Sequence, residues 1–278
     1  MPHNTISYQQ ISGFTGVEID GVDLSKPISD SLLQQLKELL FDYGVIFFRD
    51  QELRPEDHIT LAERFSEIDI NRFFKAVDGY PQVAEVRKEP HQKINIGSEW
   101  HADHSYDTAP AMGSILYAQE VPPIGGDTLW ASMYAAYDHL SDGLKETLGN
   151  LRAWHGSAHV FGKPKPKDLD DRIGGQENVI PDVLQPVIIQ HPETGRNALY
   201  VNPTFTLRFE GWTQKESQPL LDYLYKFATQ PAFCCRFQWT KGSVAFWDNR
   251  ATQHLAINDY HGHLRLMHRI TLKGVPLS

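Results

Sequence analysis

Cysteine is nearly absent from this chain. There are only two, Cys234 and Cys235, and they are neighbours. Adjacent thiols cannot staple distant segments, so no disulfide framework is expected and a reducing cytoplasm fits. Long hydrophobic runs are missing as well. No apolar stretch approaches the ~20 residues that span a bilayer. Met1 to Gln10 lacks the basic-then-apolar pattern of a secretory leader. Positive charge is also scarce. With 26 Lys and Arg against 35 Asp and Glu, the formal net charge is −9, which argues against nucleic acid or an anionic membrane as the main partner. An anionic substrate would therefore need local cationic anchors. No repeat, low-complexity tract or long linker breaks the sequence. Its 278 residues, 41% hydrophobic and 22% charged, suffice for one large domain or two small ones.

What is present reads as a few helices and many strands. A helix starts after Ser29 or Asp30, either of which can cap it. Leu32, Leu33, Leu36, Leu39 and Leu40 form its apolar stripe, and Gly44 ends it. Val45–Phe48 reads as a buried strand, and Pro55 opens a second helix running to about Phe65. Beyond this point the chain is mainly β. Strands are expected at Ile115–Ala118, Thr128–Trp130, Phe233–Trp239, Ser243–Trp247 and Arg265–Leu272, with a hairpin around Glu193-Thr194-Gly195. Further helices are expected near Tyr134–Leu140, Asp142–Leu151 and Ser217–Ala228. Many strands joined by turns, with helices at the edges, suggest a closed or sandwiched β core such as a jelly roll. Residues 162–182 are rich in Pro, Gly, Lys and Asp, and form either a surface loop or a lid over a site.

Thirteen histidines are scattered along the chain, and only those with motif spacing carry chemistry. In Trp100-His101-Ala102-Asp103 an imidazole and a carboxylate are two residues apart. On a strand, residues i and i+2 share a face, so both would aim at one point. His254 ends the run Trp247-Asp248-Asn249-Arg250-Ala251-Thr252-Gln253-His254 and can join them only through tertiary structure. Two imidazoles and one carboxylate can hold Fe(II) and leave coordination positions open. Zn(II) suits the same donors, so these residues alone do not choose the metal. A lone H-x-D is commonplace and more often structural than ligating. Arg265 and Arg269 share one face of the last strand, their Cα atoms ~13 Å apart at ~3.3 Å per residue. They are suited to holding two anions, or one anion at two points, because guanidinium captures carboxylate or sulfonate bidentately. Salt-bridged arginines on a sheet edge are the plainer alternative.

These segments, together with Gly125-Gly126-Asp127-Thr128, Gly44–Arg49 and Leu199–Asn202, carry a resemblance nearly end to end. The chain resembles the taurine dioxygenase / 2,4-D dioxygenase (TauD/TfdA) family of Fe(II)- and 2-oxoglutarate-dependent oxygenases. The resemblance implies a mainly β fold with α-helices (α+β), a double-stranded β-helix or jelly-roll core with peripheral helices, as a single domain over 1–278. It implies Fe(II) on His101, Asp103 and His254, and 2-oxoglutarate with its far carboxylate on Arg265 and Thr128. It implies Arg269 as the anchor for an anionic substrate, O2 as the oxidant, succinate and CO2 as co-products, and a homodimer or homotetramer. A retained Asp103 favours hydroxylation over halogenation, because halogenases of this type give up the carboxylate.

The substrate pocket departs from the taurine-specific pattern. Taurine enzymes carry a His and a Tyr in the segment matching Asp69–Phe74, where this chain has Asn71, Phe73 and Phe74. After the metal carboxylate comes His104 rather than a small apolar residue. Phe161 and Phe205 match aromatic pocket positions, and Asn95 lies near another contact. The expected substrate is a small organic anion other than taurine with apolar bulk: a longer sulfonate, a sulfate ester or an aryloxyalkanoate-like carboxylate. The substrate set is thus Arg269, His104, Asn71, Phe74, Phe161 and Phe205. If a hydroxylated carbon bears sulfur or oxygen, C–S or C–O cleavage follows. Taurine dioxygenase proper, a Zn-dependent hydrolase and a non-catalytic jelly-roll binding protein are the competing expectations.

Overall fold

The computed structural model describes residues 6–278 except 165 and 171. The expectations for Met1–Thr5, and for those two positions of the 162–182 segment, lie outside the described residues.

Two β-sheets face each other. The larger runs in the order Ser7–Gln10, Val17–Asp20, Val45–Phe48, Val244–Asp248, Gly113–Glu120, Arg265–Leu272, Tyr80–Lys88 and Ala76–Val77. All its pairings are antiparallel except that of Val17–Asp20 with Val45–Phe48. The smaller sheet has Thr128–Ser132 between Cys234–Phe237 and Thr252–Ala256. Between the two sheets lie Val45, Phe47, Leu116, Trp130, Phe237, Trp239, Trp247 and Met267, with Phe47 stacked on Phe237 at 4.1 Å. This is the jelly-roll core that the sequence suggested.

Alternation explains the apolar run Val45-Ile46-Phe47-Phe48. Val45 and Phe47 point between the sheets. Ile46 and Phe48 point the other way, onto the helices Asp30–Tyr43 and Pro55–Glu63 through Leu36, Leu40 and Leu61. A strand covered on both sides needs apolar residues at every position, and each such burial contributes roughly 1.5–3 kcal/mol. The last strand alternates in the same way, with two charged residues on its inner side: Arg265, Met267 and Arg269 share the inner face, while Ile270 and Leu272 meet the helices.

Local signals were read well where they were strong. The first helix is capped by the Ser29 side chain and ends at Gly44. The helix expected from Ser217 starts earlier, at Gln214. A capping box of Thr213 and Glu216 opens it, and Pro219 is accommodated in its early turns. Sequence periodicity did not show the strands Ser7–Gln10, Tyr80–Lys88, Arg152–His155 and Thr206–Phe209. The largest correction concerns His101. It belongs to no extended strand: it forms a single β-bridge with His254, and the chain turns immediately afterwards. Among the described residues no helix is long and apolar enough to cross a membrane.

Gly44 tests how tightly the first helix is joined to the core. Its φ is +74°, a conformation that favours glycine, and an added Cβ would lie 2.5 Å from Thr252 Cγ2. Gly44→Ala is expected to cost more than ~1 kcal/mol. A lowered urea midpoint at unchanged slope would confirm it, and an unchanged midpoint would contradict it.

Candidate active site

The site grows from one backbone event. His101 N–H donates to His254 O at 3.1 Å and His254 N–H donates back to His101 O at 2.8 Å. This exchange brings the two imidazoles to a ring separation of 4.1 Å. The turn after Ala102 then directs Asp103 at both. Its carboxylate oxygens lie 3.8 Å from His101 Nε2 and 3.8 Å from His254 Nε2. The three ligand atoms fall within 4.8 Å of one another, and all three residues are mostly buried. The i, i+2 spacing thus succeeds through a bridge and a turn rather than through strand geometry.

The surroundings fix each donor. His101 Nδ1 donates to Glu99 O at 2.7 Å, leaving the Nε2 lone pair for the centre. Trp247 and Trp130 place the His254 ring, at 4.7 and 6.4 Å. Burial holds both imidazoles below their ordinary pKa, His254 the more strongly because His101 adds to the effect. Both are therefore neutral donors near neutral pH. Burial would push the Asp103 carboxyl up, but Arg269, His254 and His101 together hold it well below the usual carboxylate range. Ser114 Oγ donates to Asp103 at 3.1 Å and Arg269 Nη1 at 3.3 Å. Two neutral imidazoles and a carboxylate fit a hard-to-borderline divalent metal.

Beside this centre is a narrow cavity of about 50 Å³ walled by Thr128, Trp130, His254 and Arg265. Arg265 is buried, and among the described residues its Nε and Nη2 have no hydrogen-bond partner. Burial disfavours its charge, so a guanidinium here calls for an anion. Trp239 Nε1 donates to Thr128 Oγ1 at 3.0 Å. The hydroxyl oxygen is thereby occupied and its proton is free for an acceptor in the cavity. Arg265 also lies over the Trp239 ring at 5.7 Å. The donor set fits the far carboxylate of a keto diacid. Trp239 was not foreseen, because nothing in its local sequence marks it.

A larger cavity, about 280 Å³, opens on the other side of His101 and Asp103. It shares Phe74, Ile96, Gly97, His101 and Arg269 with the narrow one. The six residues of the expected substrate set, Arg269, His104, Asn71, Phe74, Phe161 and Phe205, line it, and Asn95 lies among them. Two of these have other work. Asn71 Oδ1 accepts from the backbone N–H groups of Phe73 and Phe74 at 2.9 and 3.0 Å, holding the turn that presents Phe74. Asn95 accepts from Tyr260 Oη and donates to Ala256 O. Phe73 is not in the wall: it stacks behind Phe161 at 4.0 Å and is core. Tyr106, unforeseen, lines the cavity against Phe205 at 4.6 Å. The 162–182 segment contributes Leu169 and Ile173, the latter bridged to Phe74.

The run Trp247–Arg250 turns out to be the frame behind the site. Asn249 Oδ1 accepts from Asp103 N–H at 3.2 Å and from Trp247 Nε1 at 2.9 Å. Asp248 is fully buried and accepts two side-chain bonds from Arg250, at 3.0 and 2.7 Å, and one from His191 Nε2 at 3.0 Å. Arg250 also reaches Glu193 at 2.8 Å, which ties down the 191–196 hairpin.

A jelly-roll wall, a two-imidazole, one-carboxylate centre and an adjoining buried arginine define a class: the Fe(II)- and 2-oxoglutarate-dependent dioxygenases. Comparison with known proteins narrows it. Residues 7–271 match the family described as taurine catabolism dioxygenase TauD, TfdA family. An alkylsulfatase of Acinetobacter baylyi is 33% identical over 98% of this chain and 86% of its own length. An alpha-ketoglutarate-dependent sulfate ester dioxygenase of Pseudomonas putida is 32% identical over 96% and 90%. A solved taurine dioxygenase from Burkholderia xenovorans superposes with a TM-score of 0.81 at 34% identity, covering 97% of this chain and 90% of that one. The chain belongs to the TauD, TfdA family.

Asp248 gives a pH test. Burial would raise its pKa, but Arg250 and His191 more than offset this and hold it below the usual range. A depressed folded pKa adds stability above the unfolded value, and that stability is lost as pH falls. Asp248→Asn should therefore cost roughly 3–5 kcal/mol at neutral pH, as for a broken buried pair, and flatten the loss of stability on acidification. Urea melts at neutral and acid pH read both, and parallel pH profiles for the two proteins would contradict the assignment.

Proposed function

We propose that this protein hydroxylates a small organic anion with an apolar body, consuming O2 and 2-oxoglutarate and yielding succinate and CO2. A sulfate ester is the first candidate, then a sulfonate or an aryloxyalkanoate-like carboxylate. The observation that carries the reading is the pairing of two adjoining cavities beside one donor triad, with buried Arg265 lining the narrow one alone and buried Arg269 lining both. The two similar curated proteins named for sulfate esters or alkyl sulfates set the order of candidates.

In this reading His101, Asp103 and His254 hold Fe(II), and Arg265 with Thr128 holds the far carboxylate of 2-oxoglutarate. When bound, the iron and the keto acid together supply the oxidising chemistry that hydroxylates an unactivated C–H bond. The protein's own contribution is placement. Trp239 aims the Thr128 hydroxyl, and Arg269 divides its donors between Asp103 and the substrate anion. Phe74, Phe161 and Phe205 exclude water around the target carbon. Residues 162–182 act as a lid over the one domain. Hydroxylation at a carbon bearing oxygen or sulfur gives a product that collapses to a carbonyl compound and releases the anion. The free Cys234 and Cys235 support a reducing, cytoplasmic setting, and a homodimer or homotetramer is carried over by family analogy.

Two measurements test this. Sulfate esters, sulfonates and aryloxy acids are screened with Fe(II) under air for substrate-dependent succinate. At least one class should raise succinate well above the substrate-free rate. Failure to bind 2-oxoglutarate, or sulfate release by the Zn(II)-loaded protein without O2, would instead favour a hydrolase. Second, Arg265→Ala should raise KM for 2-oxoglutarate about 10- to 100-fold, from a lost charge-assisted hydrogen bond of ~1.5–3 kcal/mol. Trp239→Phe should raise it about five-fold, with little change in substrate KM. An unchanged 2-oxoglutarate KM in both variants would remove this pocket from co-substrate binding.

A further inference from the structure

His104 is held more firmly than a lining residue needs to be. Its φ is +57°, one of two positive values among the described non-glycine residues. That conformation is unfavourable for an L side chain, so the surroundings must enforce it. Asp107 N–H closes the turn on His104 O at 2.9 Å. Gln185 Nε2 donates to the carbonyls of Ser105 and Asp107, at 3.3 and 2.8 Å. Asn202 and the buried His155 both reach Ser105 Oγ, at 3.1 and 3.2 Å.

The ring is fixed as well. Nδ1 lies 2.9 Å from Asp107 Oδ2 and 3.3 Å from Asp69 Oδ2, and the imidazole stacks on Tyr106 at 22°. Arg72 holds Asp107 from behind. Two carboxylate neighbours accept only, so Nδ1 carries a proton and anchors the ring, which leaves Nε2 as its remaining hydrogen-bonding atom. Nε2 is buried and has no partner, while the residue lines the larger cavity and is only 2% exposed. A buried polar atom left without a partner is costly. A rigid, oriented and unpaired ring nitrogen on a residue of the substrate cavity marks a place for a ligand's hydrogen-bonding group.

We infer that His104 is a specificity-determining residue that hydrogen-bonds through Nε2 to a hydroxyl group on the organic part of the substrate. The natural substrate is then an organic anion with two recognition points: its anionic end on Arg269 and a neutral hydroxyl on His104 Nε2. This rests on the reading of the larger cavity as the substrate site. A simple alkyl chain would satisfy the phenylalanines but leave Nε2 unpaired.

Matched pairs of sulfate esters test it, one member with a hydroxyl along the chain and the other with a methyl in its place. Several hydroxyl positions are compared by substrate-coupled succinate formation on the Fe(II)-loaded enzyme. For at least one position the wild type should prefer the hydroxylated member by 10-fold or more in kcat/KM. His104→Asn keeps a residue tolerant of left-handed backbone and, with a shorter side chain that does not reach the same point, should erase that preference. The idea is overturned if no position shows a preference, a result that needs no variant to fold. It is also overturned if the preference survives in His104→Asn. Phe161→Trp, which fills the cavity, separates the two levels. If it cuts turnover of both members while no preference exists, the cavity reading stands and the role of His104 falls. If it leaves turnover unchanged, the cavity reading falls and takes this inference with it.

Discussion

Two backbone hydrogen bonds between His101 and His254 are the constraint on which the site depends. His254 sits on the smaller sheet, paired across to Trp130. His101 belongs to neither sheet. Only the bridge brings it in, and only the turn that follows puts Asp103 between the two rings. Everything around the bridge stiffens it. Asn249 grips the Asp103 backbone, Glu99 fixes the His101 ring, and Trp247 fills the space behind His254. A displacement of an ångström at the bridge would separate three donors that now fit within one coordination sphere.

From that centre the two cavities diverge, and their chemistry is set by which charges are compensated. Arg269 is shared with Asp103, which lowers its cost of burial. Arg265 forms no salt bridge among the described residues, and its Nε and Nη2 are left unpaired there. The two arginines, four residues apart on one strand face, therefore differ in how their charge is compensated. Trp239 adds precision at almost no electrostatic expense, by using the oxygen of Thr128 so that its proton faces inward.

The fold was largely legible, because burial writes itself into residue patterns. Val45–Phe48 announced a strand covered on both sides, and Ser29 and Gly44 announced a helix between them. Thr206–Phe209 and Tyr80–Lys88 were illegible since their alternation is mixed with polar residues that bond within the protein or face water. The candidate site was legible as a set of residue types and spacings. It was less so in its geometry: strand spacing suggested how His101 and Asp103 converge, whereas a bridge and a turn bring them together. Phe73 and Phe74 look equivalent in sequence, yet the Asn71 turn sends one into the core and the other into the cavity. Trp239, Tyr106 and the supports of His104 had no local signature, because each is defined by a partner distant in sequence or by a turn.

Among the described residues, two clusters of imidazole and carboxylate could hold a metal ion, His101–Asp103–His254 and Asp69–His104–Asp107. The account assigns metal to the first and organic recognition to the second. Anomalous diffraction from the protein crystallised without O2, with Mn(II) and 2-oxoglutarate, separates them directly. The account predicts one manganese peak among His101 Nε2, Asp103 and His254 Nε2, with the far carboxylate of 2-oxoglutarate on Arg265 and Thr128. A peak at Asp69, His104 and Asp107 with none at the first cluster, or 2-oxoglutarate bound away from Arg265, would contradict it.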